Sequence, residues 1–503
     1  MQKTQTCAAL ALLLVASAVL NAAVFPAVAQ LSPESREIST FCGAGFSVAV
    51  ALCAYFRPRL LRERLISWLL LALSGLSLVL LYCGIRTGNP ALVAAGGPLG
   101  GSALLWFTVL EGVALSQLER ADAMRLIPLA FVLNYACQLV MALGGPLPLE
   151  TALAVYFIAL FLSYVLIAPN VEERLARIAA HESPTVLDTT NPSSYLPFSS
   201  LIYITILLFN AACGFDAVRG AAPASLPETA LGFLPVVLLL ALAISRKSSL
   251  LSADSLEVGC TLLVVAGFLL IPITVMEGRI STALASAPSI LLRGGTDCFA
   301  VLTYFIIASV GRRNPLGSLT TSASAVAASW VGIGCGAGAT GLLQAAAGSS
   351  PVMLALTSAA AVFALLLYTL VALRGFSFNR AIQEVFPVEP CDAPSPTDER
   401  KAADETEESI GPSASSPSPT DEKPREDPRF LQACADTARR YKLTNRETDV
   451  LELLARGRTG LVIQKRLVVS QNTVKSHVRH IYAKMGVHSQ QELIDIVDRE
   501  MAR

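Results

Sequence analysis

The chain of 503 residues is 53 % hydrophobic and only 15 % charged, and its mean hydropathy of +0.57 exceeds that of ordinary soluble domains. The 38 basic and 38 acidic residues cancel overall but are distributed unevenly. Residues 386–430 hold 12 acidic and 5 basic residues, whereas residues 431–503 hold 13 basic and 8 acidic ones. A single soluble domain is therefore excluded, and three segments are predicted with boundaries at 1–385, 386–430 and 431–503.

The first segment contains apolar runs long enough to cross a bilayer, each needing roughly 20 residues in a helix. Twelve such runs are predicted, at about 7–28, 38–56, 65–84, 92–116, 125–144, 151–168, 199–217, 230–245, 257–276, 290–310, 323–346 and 353–374. The expected fold is all-α, a 12-helix transmembrane bundle. A longer polar loop at 169–198 divides it into six plus six helices, a topology that resembles the major facilitator transporters.

Basic residues in the short loops assign the orientation, because loops on the cytoplasmic side retain Lys and Arg. They alternate with loops nearly free of basic residues and lie at 57–64, 117–125, 171–177, 245–248 and 311–314. A multi-pass protein of the inner (cytoplasmic) membrane is expected, with both termini in the cytoplasm. Alternatively, the first run is a signal peptide cleaved near AVAQ at 27–30.

Polar groups inside the apolar runs are the candidates for a ligand site in the membrane, since they are costly there. They are Glu111, Asn134, Gln138, Asn210, Arg293 and Asp297. Arg293 and Asp297 are four residues apart, so a structural ion pair is an alternative to a ligand role. The glycine pattern GAGATG at 336–341 lies within an apolar run, which favours close helix packing over a dinucleotide loop.

Enzymatic chemistry has no support in the sequence. None of the 11 cysteines forms a CxxC or zinc-ligand pattern, and no nucleophile–base set or phosphate loop occurs in a fitting context. We therefore expect no cofactor, no metal and no catalytic residues.

The second segment, 386–430, holds nine prolines, many serines and a repeated hexapeptide, PSPTDE. Such a composition cannot bury enough apolar surface to offset the entropy of ordering. The prediction is a disordered acidic spacer.

The third segment has the pattern of a small helical domain. Thr444 and Glu447 form a capping box, Gly457 supplies a stop, and Ser470 caps a further helix. In that helix one apolar stripe recurs at spacings of four, three and four, with Val474, Val478, Ile481 and Met485. No acid occurs between Glu452 and Glu492, which leaves a basic region suited to phosphate.

These residues resemble the LuxR-type helix-turn-helix domain. The resemblance rests on LTNRETDVLELLARG and on SQNTVKSHVRHIYAKMGV, and it covers about 60 residues. It implies that Lys475, Ser476 and Arg479 approach base edges, while Thr473 and the amides near Ser470 hold phosphate. From charge alone we add three expected phosphate contacts, Lys465, Arg466 and Lys484.

The sequence thus predicts a membrane-tethered transcription regulator. Its expected partners are double-stranded DNA, the lipid bilayer, a small-molecule ligand of unknown identity, and a second copy paired through the last helix, about 489–500. The alternative is a transporter with a fused regulatory DNA-binding domain.

Overall fold

The computed structural model describes residues 2–32, 35–145, 147–180, 196–197, 199–219, 231–245, 252–276, 282–347, 350–385, 428–458 and 460–501. The chain forms two compact units, which divide after Val385. The predicted spacer lies outside the described residues, except for its last three positions.

The first unit contains the helices α1 (Gln2–Ala29), α2 (Ser35–Phe56), α3 (Glu63–Thr87), α4 (Pro90–Leu115), α5 (Arg120–Gly144), α6 (Leu149–Ala180), α7 (Leu201–Arg219), α8 (Leu234–Ile244), α9 (Ala253–Met276), α10 (Thr282–Arg313), α11 (Ser318–Ala347) and α12 (Pro351–Ala372). Among the described residues, ten of these are long and apolar enough to cross a membrane, and α7 and α8 are shorter apolar helices. The predicted all-α fold is confirmed.

The predicted start of one loop was wrong. The polar loop expected at 169–198 begins later, because α6 continues past Pro169 to Ala180. Hydropathy indicates where a helix leaves the bilayer, whereas the good helix formers in the next eleven residues, NVEERLARIAA, decide where it ends.

The outside of the bundle is apolar, as a lipid-facing surface must be. Trp68, Val79, Leu262 and Phe363 are each more than half exposed. In water such a surface would be an aggregation hazard, so it indicates a surrounding bilayer.

Glycines set the closest helix contacts within the bundle. A Cβ at Gly336 of α11 would lie 1.9 Å from the carbonyl oxygen of Ala211 in α7, and one at Gly332 would lie 2.2 Å from that of Leu207. The backbones therefore touch along this stripe. The GAGATG pattern is helical throughout, which confirms the packing interpretation.

The first unit ends with a short helix, α13 (Phe378–Gln383). The second unit contains α14 (Pro428–Arg440), α15 (Asn445–Ala455), α16 (Gly460–Leu467), α17 (Gln471–Met485) and α18 (Gln490–Met501). Buried side chains from these five helices form one hydrophobic core, including Cys434, Leu451, Ile463, Ile481 and Leu493. The unit therefore has its own core and folds as a domain.

Helix α14 was not foreseen. Its buried residues Ala433, Cys434, Thr437 and Ala438 recur at helical spacing and complete the core of the domain. The periodicity was visible in the sequence, but the adjoining acidic segment obscured it.

Candidate functional site

Helix α17 is held against its domain by the predicted apolar stripe. Val474, Val478 and Ile481 are fully buried, and Met485 is buried beside them. Gly486, at a φ of 67°, ends the helix in the left-handed conformation that glycine adopts readily. The stripe fixes which face of α17 turns outward.

The outward face carries the predicted reading residues. Ser476 and Arg479 are exposed, and Lys475 is half-buried between them and the stripe. Long basic side chains and a hydroxyl on one exposed helix face can form hydrogen bonds with base edges in the major groove. The structure thus brings these three residues together on one surface.

The start of α17 is built as predicted. The Ser470 hydroxyl accepts a hydrogen bond from the Thr473 amide at 3.2 Å and pairs with the Thr473 hydroxyl at 2.8 Å. Both side chains are exposed, so this helix terminus is accessible to a phosphate. Lys465 and Arg466 are exposed in the last turn of the preceding helix, α16.

Lys484 has an intramolecular partner instead. Its ammonium donates to Glu447 at 2.6 Å and to the Lys442 carbonyl at 3.3 Å. Glu447 is buried, and it accepts the Thr444 amide at 2.7 Å as half of the capping box. Lys484 therefore ties α17 to the start of α15, and its contact with phosphate stays a prediction.

The environment of Glu447 is expected to make the stability of the domain depend on pH. Burial alone would raise the pKa of Glu447, but the hydrogen bonds from Lys484 and Thr444 outweigh it and lower the pKa to about 2. A carboxyl whose pKa is lower in the folded state stabilises above its unfolded pKa, and the effect is lost as the pH falls toward 2. Glu447→Gln is expected to cost about 3 kcal/mol at pH 7 and little at pH 2.

Urea unfolding of residues 428–503 at both pH values measures this difference. Asp498→Asn, which neutralises an exposed carboxylate on α18, controls for the loss of one negative charge. An equal cost of Glu447→Gln at both pH values would contradict the assignment.

The turn before α17 contains a strained residue. Val468 has a φ of 54° and is 88 % exposed, and the next amide closes the turn by donating to the Gln464 carbonyl at 3.2 Å. A β-branched residue is strained in this region, whereas asparagine tolerates it. Val468→Asn should therefore raise the free energy of unfolding by about 1 kcal/mol.

Chemical denaturation of the isolated domain tests this, with Val462→Asn as the control. Val462 is also partly exposed but lies in the regular helix α16. Equal effects at the two positions would show that the gain does not come from backbone strain.

A cavity of about 230 Å³ lies between the two halves of the membrane unit. It is lined by α1, α2 and α4 from the first half and by α7, α10 and α11 from the second. Among the predicted ligand residues, Asn210 lines it and donates to Ser329 at 3.4 Å. Arg36 and Glu37 also line its wall; they were not predicted, because the second predicted span begins after them, at residue 38.

Three other predicted residues form a separate cluster. Arg293 donates to Gln138, and its guanidinium lies 3.8 Å from the Asp297 carboxylate. Asp297 also accepts a hydrogen bond from Tyr135, whose ring lies 5.7 Å from the Arg293 guanidinium carbon. The cluster joins α5 to α10 and therefore links the two halves. Tyr135 has no charge, which is why sequence reasoning missed it.

Glu111 and Asn134 lie outside both groups. Glu111 is completely buried in α4, and neither carboxyl oxygen has a hydrogen-bond partner among the described residues. The buried carbonyl oxygen of the Asn134 side chain likewise lacks one in the described part of the chain. An unpartnered carboxyl in apolar surroundings is costly, so Glu111 stays a candidate functional acid.

The last helix, α18, packs against the core of its own domain. Leu493 and Val497 are buried in the core, and the Gln490 side chain donates to the Leu454 carbonyl at 3.0 Å. The exposed residues of α18 include Gln491, Asp495 and Asp498. A pairing surface on this helix would therefore be polar.

Comparison with known proteins identifies the second unit. Residues 441–497 match the family GerE, bacterial regulatory proteins of the luxR family. The chain is 42 % identical over 65 residues to the uncharacterized response regulatory protein YgeK of Escherichia coli K12, covering 12 % of this chain and 44 % of that one. It is 41 % identical over 59 residues to the nitrate/nitrite response regulator protein NarL of the same strain, covering 12 % and 27 %. The chain thus spans less than half the length of either relative.

The first unit is similar in fold to a solved transporter. A bacterial homologue of the iron transporter ferroportin, crystallised in an outward-facing state, superposes with a TM-score of 0.50 at 14 % identity. The match covers 74 % of this chain and 99 % of that one. At this identity the likeness concerns the fold alone. The protein therefore combines an all-helical membrane domain of transporter-like fold with a LuxR-type helix-turn-helix domain at its C-terminal end.

Proposed function

We propose that the protein is a membrane-tethered transcription regulator. Its helix-turn-helix domain binds promoter DNA, and its membrane domain responds to a ligand or to a state of the membrane. The observation that carries the proposal is the exposed face of α17, which presents Ser476 and Arg479 while the apolar stripe of the same helix is buried in the domain core. The same chain supplies a bundle with a cavity between its halves.

The cavity supports a sensing role. Its wall combines the amide of Asn210, the hydroxyls of Thr303 and Ser329, and the aromatic ring of Trp330, a mixture that suits a small molecule with apolar and hydrogen-bonding parts. A ligand that binds one arrangement of the two halves more tightly by a few kcal/mol would shift the membrane domain toward that conformation.

Orientation and pairing belong to the same proposal. The basic loops favour an inner-membrane protein with both termini in the cytoplasm, where DNA is accessible. Two domains paired through α18 on a two-half site would gain from effective concentration. The polar exposed face of α18 is the surface available for such a pair.

Salt-dependent binding of duplex DNA by residues 428–503 tests the DNA role. Each phosphate contact contributes close to one unit to the slope of log affinity against log salt concentration. We expect a slope of about −3 or steeper, given the several exposed cations beside α17. Binding that does not change with salt would rule out the proposed interface.

The alternative function is transport, with the DNA-binding domain as a regulatory addition. The cavity between the two halves favours it, since transporters of this topology bind substrates there. Vesicles that carry residues 1–385 distinguish the two functions. Substrate uptake would support transport, whereas DNA binding by the full chain without uptake supports the sensor.

A further inference from the structure

The chain does not leave the membrane unit freely after α12. Helix α13 is fixed at its start by Asp254, the second residue of α9. The Asp254 carboxylate accepts hydrogen bonds from the Ser377 hydroxyl at 2.9 Å, the Phe378 amide at 2.5 Å and the Asn379 side chain at 2.9 Å. One carboxylate therefore holds three consecutive residues.

The other end of this segment is fixed by Arg313, the last residue of α10. Its guanidinium donates to the Val385 carbonyl at 2.7 Å and to the Gln383 carbonyl at 3.0 Å. Phe378, Ile382 and Val385 are buried in the main core of the membrane unit. Residues 376–385, hereafter the strap, are thus docked by apolar burial and by charged groups at both ends.

The strap also reaches the other half of the bundle. Arg120, at the start of α5, donates to the Asn379 side chain at 3.5 Å and lies 5.8 Å from the centre of the Phe305 ring in α10. Asp254 and Arg313 belong to the second half, whereas Arg120 belongs to the first. The strap therefore bridges the halves at the end of the bundle where the chain departs.

The two halves are in close contact at this same end. The Ser322 hydroxyl of α11 donates to the Val109 carbonyl of α4 at 2.8 Å, and the Thr320 hydroxyl donates to the Ala54 carbonyl of α2 at 3.2 Å. A Cβ at Gly112 of α4 would lie 2.1 Å from the Ser322 hydroxyl. The cavity lies deeper, from Thr108 and Val326 onward. The strap thus lies at the end of the bundle where the two halves are sealed together.

We propose that the strap is the output element of the membrane domain, docked while this end is closed and released when the halves separate here. Release frees residues 376–385 from the bundle and lengthens the tether of the DNA-binding domain by about ten residues. This proposal rests on the proposed function, because it explains how a change of bundle packing reaches the DNA-binding domain.

Hydrogen exchange of residues 376–385, measured on the full chain in lipid nanodiscs, tests the strap without a ligand. Gly112→Val should force α4 from α11 and raise exchange in the strap at least ten-fold. Asp254→Asn should raise exchange in the strap to a similar extent, because the asparagine amide nitrogen cannot accept the two hydrogen bonds that Ser377 and Asn379 donate to one carboxylate oxygen. Gly45→Val controls for the added side chain, since nothing lies within 4 Å of that position. Glu257→Gln controls for the lost charge, since Glu257 accepts from Thr261 one turn along the same helix.

Faster exchange in α4 and α11 of Gly112→Val with an unchanged strap would overturn the coupling. An unchanged strap in Asp254→Asn would overturn the docking, and this variant keeps the test decisive if Gly112→Val does not fold. DNA binding by the same preparations is read separately. If the variants raise exchange in the strap but no preparation binds DNA, the proposed function is refuted, whereas the coupling of the strap to the bundle stands.

Discussion

Replacing Lys475 and Arg479 together by alanine is expected to remove the sequence preference of the DNA-binding domain. Both lie on the outward face of α17, beside a stripe that is buried and untouched by the change. A good contact with a base edge contributes roughly 1–3 kcal/mol of discrimination, so each single variant should lose about ten-fold in selectivity. Competition between a preferred duplex and a scrambled one measures it.

The control for lost charge is Arg499→Ala. Arg499 is exposed on α18 and donates to the Asp495 carbonyl of its own helix at 3.0 Å, so it should weaken binding of both duplexes equally or not at all. Full selectivity in the double variant, with binding retained, would show that the reading face lies elsewhere.

Gly336→Val is expected to have the largest effect on the membrane domain. The new Cβ would lie 1.9 Å from the Ala211 carbonyl oxygen, and a backbone atom cannot turn aside as a side chain can. Separating α7 from α11 removes contacts along both helices, so we expect a loss of about 3 kcal/mol or more. The apparent unfolding temperature of the full chain in detergent should fall clearly.

Gly341→Val is the matched control, on the same helix and with nothing within 4 Å of the added carbon. It should leave the unfolding temperature unchanged. Equal destabilisation by the two variants would mean that helix propensity, rather than the contact with α7, determines the effect.

Local sequence rules predicted the DNA-binding domain well because its helices carry their own signals. The capping box of Thr444 and Glu447, the cap at Ser470 and the buried Val474 and Ile481 all lie where spacing alone placed them. The partner of Lys484 could not be predicted in this way. Glu447 is 37 residues away in the chain, and only the crossing of α15 and α17 brings the two together.

Hydropathy predicted the membrane helices but not which polar residues meet. Arg293 and Asp297 share one helix, so their approach follows from helix geometry. Their partners Tyr135 and Gln138 come from α5, more than 150 residues away. Arg36 and Asp254 lie just before the predicted spans at 38–56 and 257–276, yet one lines the cavity and the other anchors the strap. Tertiary packing decides such roles.

Binding of promoter DNA by the full chain in lipid nanodiscs tests the central claim most directly. The duplexes are those that residues 428–503 select from genomic DNA. We predict that the membrane-embedded chain binds them with the same sequence preference and that the Lys475→Ala, Arg479→Ala double variant loses it. Failure of the embedded chain to bind any of these duplexes, while the isolated domain binds them, would contradict a membrane-tethered regulator.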